Sequence, residues 1–241
     1  MKKNISGKEA LKIIVEAAKN YDIKLKDKHF LIVYQEGNQI KTACVGFRDM
    51  NFLHLTGVKT KLSAQLFYGA AISGKLSEKN FSLDTKGKAQ QKLAVLPFLH
   101  ELFYHNCMIG DFINSGIYIR ADYFVGDTKA ILSVGFRYGK TVDMPVTLYN
   151  ENVKTLSKPV YKVLAIFVKE YNEPIYGTCT YLSKGQSMDK LRLPDDISKF
   201  VDLPRASLRW ELEKGLKAME EGRVLPIEEA FAEVQKKFRE E

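Results

Sequence analysis

The feature that most limits the possible folds is a run of short β-branched and aromatic segments between residues 117 and 182. These segments read IYIRADYFVG, KAILSVGFRYG, KTVDMPVTLYN, KPVYKVLAIFVKEY and PIYGTCTYLS. Turn-forming groups such as Gly-Asp, Tyr-Gly-Lys and Asn-Glu-Pro separate them, as is typical of successive strands. The run therefore predicts an antiparallel meander of four or five strands.

The residues before this run favour helices and one hairpin. Ser6 and Glu9 have the spacing of a capping box, and an apolar stripe follows, which predicts a helix over 7–20. The segments HFLIVYQ (29–35) and QIKTACVGF (39–47) flank the turn residues EGN and predict a β-hairpin. Two further helices are predicted, one in KLSAQLFYGAAISGKL that ends near Gly74 and one over about 86–104. Helices that precede a sheet indicate an α+β fold.

The last part of the chain has a different character. Residues 186–204 include two prolines and are predicted to be a linker after an α+β domain of residues 1–185. Residues 205–241 predict two helices joined at EGRVLP, where Gly222 ends the first and Pro226 begins the second. Each helix has an apolar stripe, formed by Leu208, Leu212, Leu216 and Met219 and by Ile227, Ala230, Phe231, Val234 and Phe238. Two helices this short need a surface to cover, on this chain or another.

Charge and composition indicate a polyanionic partner. The formal net charge is +8, and residues 1–198 carry 28 Lys and Arg against 19 Asp and Glu. A basic body suits binding to nucleic acid, although a basic balance also serves solubility. No apolar run is long enough for a membrane helix, and the three cysteines are far apart. We therefore expect no membrane association, no signal peptide and a reducing cytoplasmic location.

Three motifs fail when their spacing is examined. In HELFYH, His100 and His105 are five residues apart, so they do not share one helical face as a zinc pair must. GFRYGKT (135–141) has three residues between its glycines where a phosphate-binding loop has four. Cys107 follows His105 closely, but no third group can be assigned to orient a nucleophile and its base. We therefore expect no metal and no cofactor.

The chemistry that remains is metal-independent cleavage of RNA, in which the 2′-hydroxyl of the substrate is the nucleophile. Histidine can transfer the protons near neutral pH, and cationic or hydroxyl side chains can hold the phosphate. His54 suits this role because it is predicted to lie in an irregular segment between the hairpin and a helix, close to Arg48, Lys59 and Lys61. The alternative is a histidine that is hydrogen-bonded into the fold, with its lysine neighbours in solvent.

Several stretches together resemble a known family. NFLHLTGVKT, AQLFYGAAISGKLSEKNF, ADYFVGD and DMPVTLYNE are similar to the fourth family of phage-associated barnase–EndoU–colicin–RelE-like nucleases, over about residues 25–185. The resemblance implies a fold of helices with an antiparallel sheet and metal-independent ribonuclease activity. It also implies occurrence in a phage or other mobile element.

The resemblance also indicates site residues. His54 would act as base or acid, and Thr56 in the same HLTG motif would orient it or bind phosphate. Thr147 and Tyr149 in PVTLYN would present hydroxyls at a strand end, although an ordinary strand pair is an equal alternative. The predicted contacts to RNA phosphates are Arg48, Lys59, Lys61, Arg120 and Lys154.

The segment LEKGLKAMEEGRVLPIEEAFAEVQKKF resembles the C-terminal part of small antitoxins from toxin–antitoxin modules. This resemblance implies a contact between residues 205–241 and the basic domain, in cis or in trans across a homodimer, that covers or restrains the site. Two functions stay open. The protein is a ribonuclease restrained by its own tail, or it is an inactive nucleic-acid-binding, immunity or regulatory module on the same fold.

Overall fold

A computed structural model describes residues 5–113, 121–127 and 131–223 of the chain. It confirms the predicted α+β class: helices pack against the two faces of a curled antiparallel sheet. No helix in these ranges is long and apolar enough to cross a membrane.

The first helix, α1 (Gly7–Lys24), is capped as the sequence predicts. The amide of Glu9 donates to Ser6 Oγ at 3.2 Å, and the amide of Ser6 donates to Glu9 Oε2 at 2.9 Å. Together these bonds satisfy two of the free amides at the helix start. The face of α1 that carries Ile14, Ala18 and Tyr21 is fully or almost fully buried. The helix continues beyond the predicted range to Lys24.

The other N-terminal helices correct two expectations. His54 does not lie in an irregular segment but in helix α2 (Asp49–Thr56), which ends at Gly57 with a φ of 73°. Helix α3 (Ala64–Ile72) agrees with the prediction. The helix expected over 86–104 is instead α4 (Lys88–Val95) followed by a 3₁₀ segment, Leu96–Glu101. Pro97 accounts for the change, because proline has no amide hydrogen and its ring crowds the preceding turn of an α-helix.

The strands are antiparallel throughout the main sheet. Those of the main sheet are β1 (Lys28–Glu36), β2 (Gln39–Gly46), β5 (Cys107–Phe112), β6 (Tyr123–Asp127), β7 (Leu132–Arg137), β8 (Met144–Tyr149), β9 (Ser157–Glu170) and β10 (Thr178–Leu182). A separate short pair is formed by β3 (Lys59–Thr60) and β4 (Phe81–Ser82). The strand order in the main sheet is β2-β1-β9-β5-β6-β7-β8, and β10 pairs with β9.

This order corrects the predicted meander. Strands β6, β7 and β8 follow one another as expected, but β9 leaves the series and lies between β1 and β5. Strand β5 was not predicted at all. The central position of β9 agrees with its buried run from Val163 to Phe167, because a central strand covered on both faces needs apolar side chains on both.

The sheet curls until its two ends meet. The amide of Asp143, just before β8, donates to the Cys44 carbonyl at 2.7 Å, and the amide of Gly46 donates to the Asp143 carbonyl at 2.9 Å. One face of the sheet contributes residues such as Phe30 and Tyr123 to the large core beneath helices α1–α4. The opposite face carries two smaller clusters, one with Leu31 and one with Phe124, because side chains alternate between the faces of a strand.

The C-terminal segments cover the cluster that contains Leu31. Met188, Leu191 and Val201, from the predicted linker, are buried in it. Short helices α5 (Val153–Leu156) and α6 (Asp195–Ser198) precede the long helix α7 (Leu203–Glu220). Helix α7 packs against β10 through its first half and buries Ala206. The division into a domain, a linker and a tail stays a prediction, and the second predicted tail helix lies outside the described residues.

Candidate active site

A cavity of about 510 Å³ opens where the first hairpin meets the segment before β8. Its walls come from four parts of the chain: the hairpin, the start of α2, residues 141–144 and the end of β9. The lining residues are His29, Gly46, Phe47, Arg48, Thr141, Val142, Met144 and Tyr171. The cavity therefore combines an imidazole, a guanidinium and two hydroxyl groups, which are groups that can bind and transform an anionic substrate.

His29 lies on β1, which pairs with a strand on each side. It is paired with Gly46 on β2 and with Lys169 on β9. A Cβ at position 46 would lie 2.6 Å from Val142 Cγ1 and 3.0 Å from His29 Cδ2, so the imidazole and Val142 can both approach only because this residue is glycine. The His29 ring meets Tyr171 edge-on, with 5.2 Å between the ring centroids.

The surroundings of His29 favour its neutral form. Partial burial lowers the pKa of the imidazole, and the positive charges of Lys169 and Arg48 lower this pKa further. A histidine with a pKa below its usual value of ~6.5 is neutral at pH 7 and can accept a proton. It can therefore serve as a general base.

Arg48 is held at the start of α2 by its backbone. Its amide donates to Asn51 Oδ1 at 2.8 Å, and its carbonyl accepts from the Tyr21 hydroxyl at 2.8 Å. The guanidinium carbon lies 4.1 Å from the ring centroid of Tyr171. Within the described part of the chain, no carboxylate forms an ion pair with Arg48. Its N–H groups are therefore available to a phosphate, which guanidinium binds in a forked geometry.

His54, the histidine predicted from the sequence, lies on a different surface. Its side chain is exposed on α2, and its carbonyl accepts a hydrogen bond of 2.7 Å from Lys92 Nζ. Burial, with the charge of Lys88 as a smaller cause, lowers the pKa of Lys92 to about 8. Lys59, one of the predicted phosphate contacts, follows the end of α2 by three residues in the sequence and is also exposed. This surface has two groups that can transfer protons, but none of the described cavities is lined by His54.

Thr56 is fully buried at the end of α2, and its hydroxyl makes two hydrogen bonds to the backbone. The Oγ1 atom donates to the Leu53 carbonyl at 2.8 Å and accepts from the Val58 amide at 3.3 Å. These bonds stabilise the end of the helix that carries His54. Lys61 is exposed after β3.

Three other predicted residues lie on the opposite face of the sheet. Tyr149 packs against Phe124 in the small cluster there, with 5.9 Å between ring centroids, and Thr147 is its hydrogen-bond neighbour. Lys154 is exposed on α5, which packs beside the same cluster. Helix α2 lies on the other face with the large core, so these three residues are not brought together with His54. Arg120 lies outside the described residues.

The sequence prediction included Arg48 but missed its partners. His29 begins a predicted strand, Thr141 lies in the GFRYGKT segment that lacks phosphate-loop spacing, and Tyr171 belongs to no motif. The cavity joins residues more than a hundred positions apart, and only the tertiary fold brings them together. The local signal that could have been noticed is the glycine at position 46, directly across the hairpin from His29.

Comparison with known families decides what kind of domain carries this cavity. The model of the family described as phage-Barnase-EndoU-ColicinE5/D-RelE like nuclease4 matches residues 13–185, which is most of the chain. The chain belongs to this nuclease family. No curated protein and no solved structure matches it significantly. The matched range contains every residue of the His29 cavity as well as His54, whereas α7 lies beyond it.

Membership in this nuclease family confirms the resemblance predicted from the sequence and implies a nucleic-acid substrate. In the described ranges, no group of three or more His, Cys, Asp or Glu residues is arranged to hold a metal ion. The family does not by itself assign the catalytic residues, so the chemistry of the two histidine surfaces distinguishes them.

Proposed function

We propose that this protein is a metal-independent ribonuclease and that the His29 cavity is its active site. The observation that carries the proposal is a single arrangement in the wall of one cavity. A histidine with a lowered pKa and a guanidinium that has no ion pair among the described residues contact the same tyrosine. Cleavage of RNA through its own 2′-hydroxyl requires a base and a phosphate-binding cation, and these residues supply both.

The reaction follows from these positions. His29 removes the proton of the 2′-hydroxyl, and the resulting oxygen attacks the adjacent phosphorus. The bond from phosphorus to the 5′-oxygen breaks, which leaves a 2′,3′-cyclic phosphate and a 5′-hydroxyl end. Arg48 stabilises the added negative charge on the phosphate oxygens. Tyr171 is the candidate donor of the proton that the leaving 5′-oxygen takes up.

The surface around His54 is the second candidate site for the same reaction. It is favoured by Lys92, because a lysine with a pKa of about 8 is still mostly protonated at neutral pH and can donate a proton. Lys59 and Lys61 would then bind phosphate, as predicted. Against this site stands the exposure of His54, which lines none of the four cavities described.

Three histidine variants distinguish the two sites. Cleavage of total RNA in the presence of a chelator should be lost in His29→Ala and retained in His105→Ala, which changes an exposed histidine that pairs with Glu101. If cleavage is instead lost in His54→Ala alone, the active site is the second surface. A protein that binds RNA with strong salt dependence but leaves it uncut would be the inactive binding module.

We also propose that the C-terminal segment restrains the enzyme, in cis or across a homodimer. The apolar stripe of α7 is exposed, by about 60% for each of Leu208, Leu212, Leu216 and Met219. Such an exposed stripe is expected if another segment covers it. Val201 and Ala206 are buried in the domain, so a truncation should spare them. A chain that ends at Arg223 should cleave RNA faster than the full chain, and equal rates would argue against restraint.

The biological setting forms part of the same proposal. RNA is the partner that the activity requires, and the cytoplasmic location and the phage or mobile-element origin follow from the sequence predictions. The molar mass in solution, with and without residues 224–241, would show whether the α7 stripe joins two copies.

A further inference from the structure

A second cavity lies on the face of the sheet that carries the large core and has no part in the proposed proton transfers. It has a volume of about 220 Å³, large enough for one flat ring system, and its walls are rich in tyrosine. The residues that matter for its chemistry are Tyr34, Asp111, Tyr123, Tyr138, Lys140 and Tyr161. Thr141 lines this cavity and also the His29 cavity, so the segment before β8 is a wall of both.

The tyrosine rings are arranged as two neighbouring pairs. Tyr34 and Tyr161 have centroids 5.6 Å apart with 32° between their planes, and Tyr123 and Tyr138 have centroids 5.4 Å apart with 36°. Two of the hydroxyls are anchored: Tyr161 donates to Glu36 at 2.8 Å and Tyr123 donates to Asp143 at 2.7 Å. The ring faces are therefore positioned before any ligand arrives. Aromatic faces of this kind stack on unpaired nucleobases.

Two carboxylates of the cavity, those of Asp143 and Asp111, differ in the hydrogen bonds that they already accept. Asp143 accepts from the Tyr123 hydroxyl and from the Gly139 amide, at 2.7 Å and 2.9 Å, and so holds the loop before β8. Asp111 has only a long contact of 3.4 Å from the Tyr161 hydroxyl, which is closer to Glu36. Among the described residues, no lysine or arginine forms an ion pair with Asp111. This exposed carboxylate can still accept hydrogen bonds from a ligand.

We propose that the second cavity is a subsite for a guanine base of the RNA and that Asp111 determines the preference. Guanine is the RNA base that presents two adjacent donors, N1–H and the N2 amino group, to one carboxylate. Adenine, cytosine and uracil each place an acceptor beside their donor, and a carboxylate repels that acceptor. The proposal rests on the proposed ribonuclease function, since the shared wall at Thr141 would let one nucleotide place its base here and its phosphate near Arg48.

Lys140 supports this placement. It lines the second cavity and precedes Thr141, so its ammonium group is close in sequence to the wall that the sugar–phosphate chain would cross. The same rings and carboxylate could instead accept a cationic amine, because cations bind to aromatic faces. An amine site would be indifferent to the identity of a nucleotide's base.

Calorimetric titration of the full chain with 3′-mononucleotides tests the subsite without requiring cleavage. We expect 3′-GMP to bind at least ~10-fold more tightly than 3′-AMP, 3′-CMP or 3′-UMP, with 3′-IMP, which lacks the N2 amino group, in between. Asp111→Asn should remove the preference and leave the affinity for 3′-AMP unchanged. Asp189→Asn, which changes an exposed carboxylate in the 186–204 segment, is the matched control and should keep the preference.

Two results of these titrations would overturn the subsite: equal binding of all five nucleotides, or a guanine preference that survives in folded Asp111→Asn. Thermal unfolding of Asp111→Asn confirms that the variant is folded, as expected for a change at an exposed position. Guanine-selective binding without RNA cleavage would refute the proposed ribonuclease activity but not the subsite. Cleavage without any base preference would refute the subsite alone.

Discussion

The guanidinium carbon of Arg48 lies 4.1 Å from the ring centroid of Tyr171, and this contact joins helix α2 to the end of β9. The same tyrosine meets the edge of His29 and is fixed by its own backbone amide, which donates to the Asp27 carbonyl at 2.7 Å. One aromatic side chain therefore positions both the base and the phosphate-binding cation of the proposed site. A contact between an arginine and an aromatic face also keeps the guanidinium N–H groups free for a ligand.

Two substitutions at Tyr171 separate its hydroxyl from its ring. Tyr171→Phe keeps the ring contacts, so it should lower kcat by a factor of ~10² if the hydroxyl protonates the leaving oxygen, with KM little changed. Tyr171→Leu also removes the support of Arg48, so it should raise KM in addition. Steady-state cleavage of a fluorogenic oligoribonucleotide measures both constants. Unchanged kcat in Tyr171→Phe would assign the proton to another group.

The lowered pKa of His29 predicts the acid limb of the pH profile. Because the base must be neutral, activity should rise with pH and reach half its plateau below pH ~6.5, the usual pKa of histidine. Lys169→Gln removes one of the positive charges that lower this pKa, so the midpoint should move to higher pH. Initial rates between pH 4 and 8 provide the measurement, and a midpoint that does not move would exclude Lys169 as a cause.

The same pKa has a consequence for stability. The folded state holds His29 with a pKa below the unfolded value, so the unfolded chain binds more protons in the window between the two values. The contribution of this histidine to stability is therefore present above pH ~6.5 and is lost as the pH falls towards the folded pKa. In urea unfolding, the full chain should lose stability relative to His29→Gln as the pH falls through this window. Parallel curves at every pH would contradict the assignment.

Gly46 should be essential for the geometry of the His29 cavity. In Gly46→Ala, the new methyl would clash with Val142 and press on the imidazole, so cleavage should fall by about tenfold or more. Gly69→Ala is the matched control, since nothing lies within 4 Å of its Cβ position in α3 and alanine favours a helix by ~1 kcal/mol. That variant should be slightly more stable and equally active. Full activity in Gly46→Ala would show that His29 is not confined as described.

The buried hydroxyl of Thr56 provides a test of how α2 is held. Thr56→Val removes a donor to Leu53 and an acceptor for Val58, so the free energy of unfolding should fall by about 1–2 kcal/mol. Thr56→Ser retains both hydrogen bonds and should lose less. Chemical denaturation of the three proteins checks the order, and an equally stable Thr56→Val would mean that these bonds contribute little.

The sequence predicted the elements of this fold better than their arrangement. Capping residues and period-two patterns are local signals, so α1, the first hairpin and strands β6, β7 and β8 were recognised. The insertion of β9 between β1 and β5 depends on which strands pair, and that choice is made by long-range packing of segments such as 163–167. Strand β5, with its Gly110 and Asp111, has too weak an apolar pattern to stand out.

The candidate site was harder to predict for the same reason. The sequence favoured His54 because lysines surround it along the chain and because its motif resembles a nuclease family. His29 is surrounded by Arg48, Lys169 and Tyr171 only after the sheet has formed. A histidine at the start of a strand cannot be told from an ordinary strand residue by sequence alone. Spatial partners that are distant in sequence leave no local pattern.

Cleavage of a DNA strand that contains one ribonucleotide, with the products identified by mass spectrometry in the presence of a chelator, tests the central claim most directly. The full chain and the chain ending at Arg223 are compared with their His29→Ala and His105→Ala variants. We predict cleavage only at the ribonucleotide, with 2′,3′-cyclic phosphate and 5′-hydroxyl ends, and a rate lower by ~10²–10⁴ in His29→Ala alone. Three results would contradict the account. They are cleavage of an all-deoxy strand, failure of both the full and the shortened protein to cleave the ribonucleotide strand, and an unchanged rate in His29→Ala.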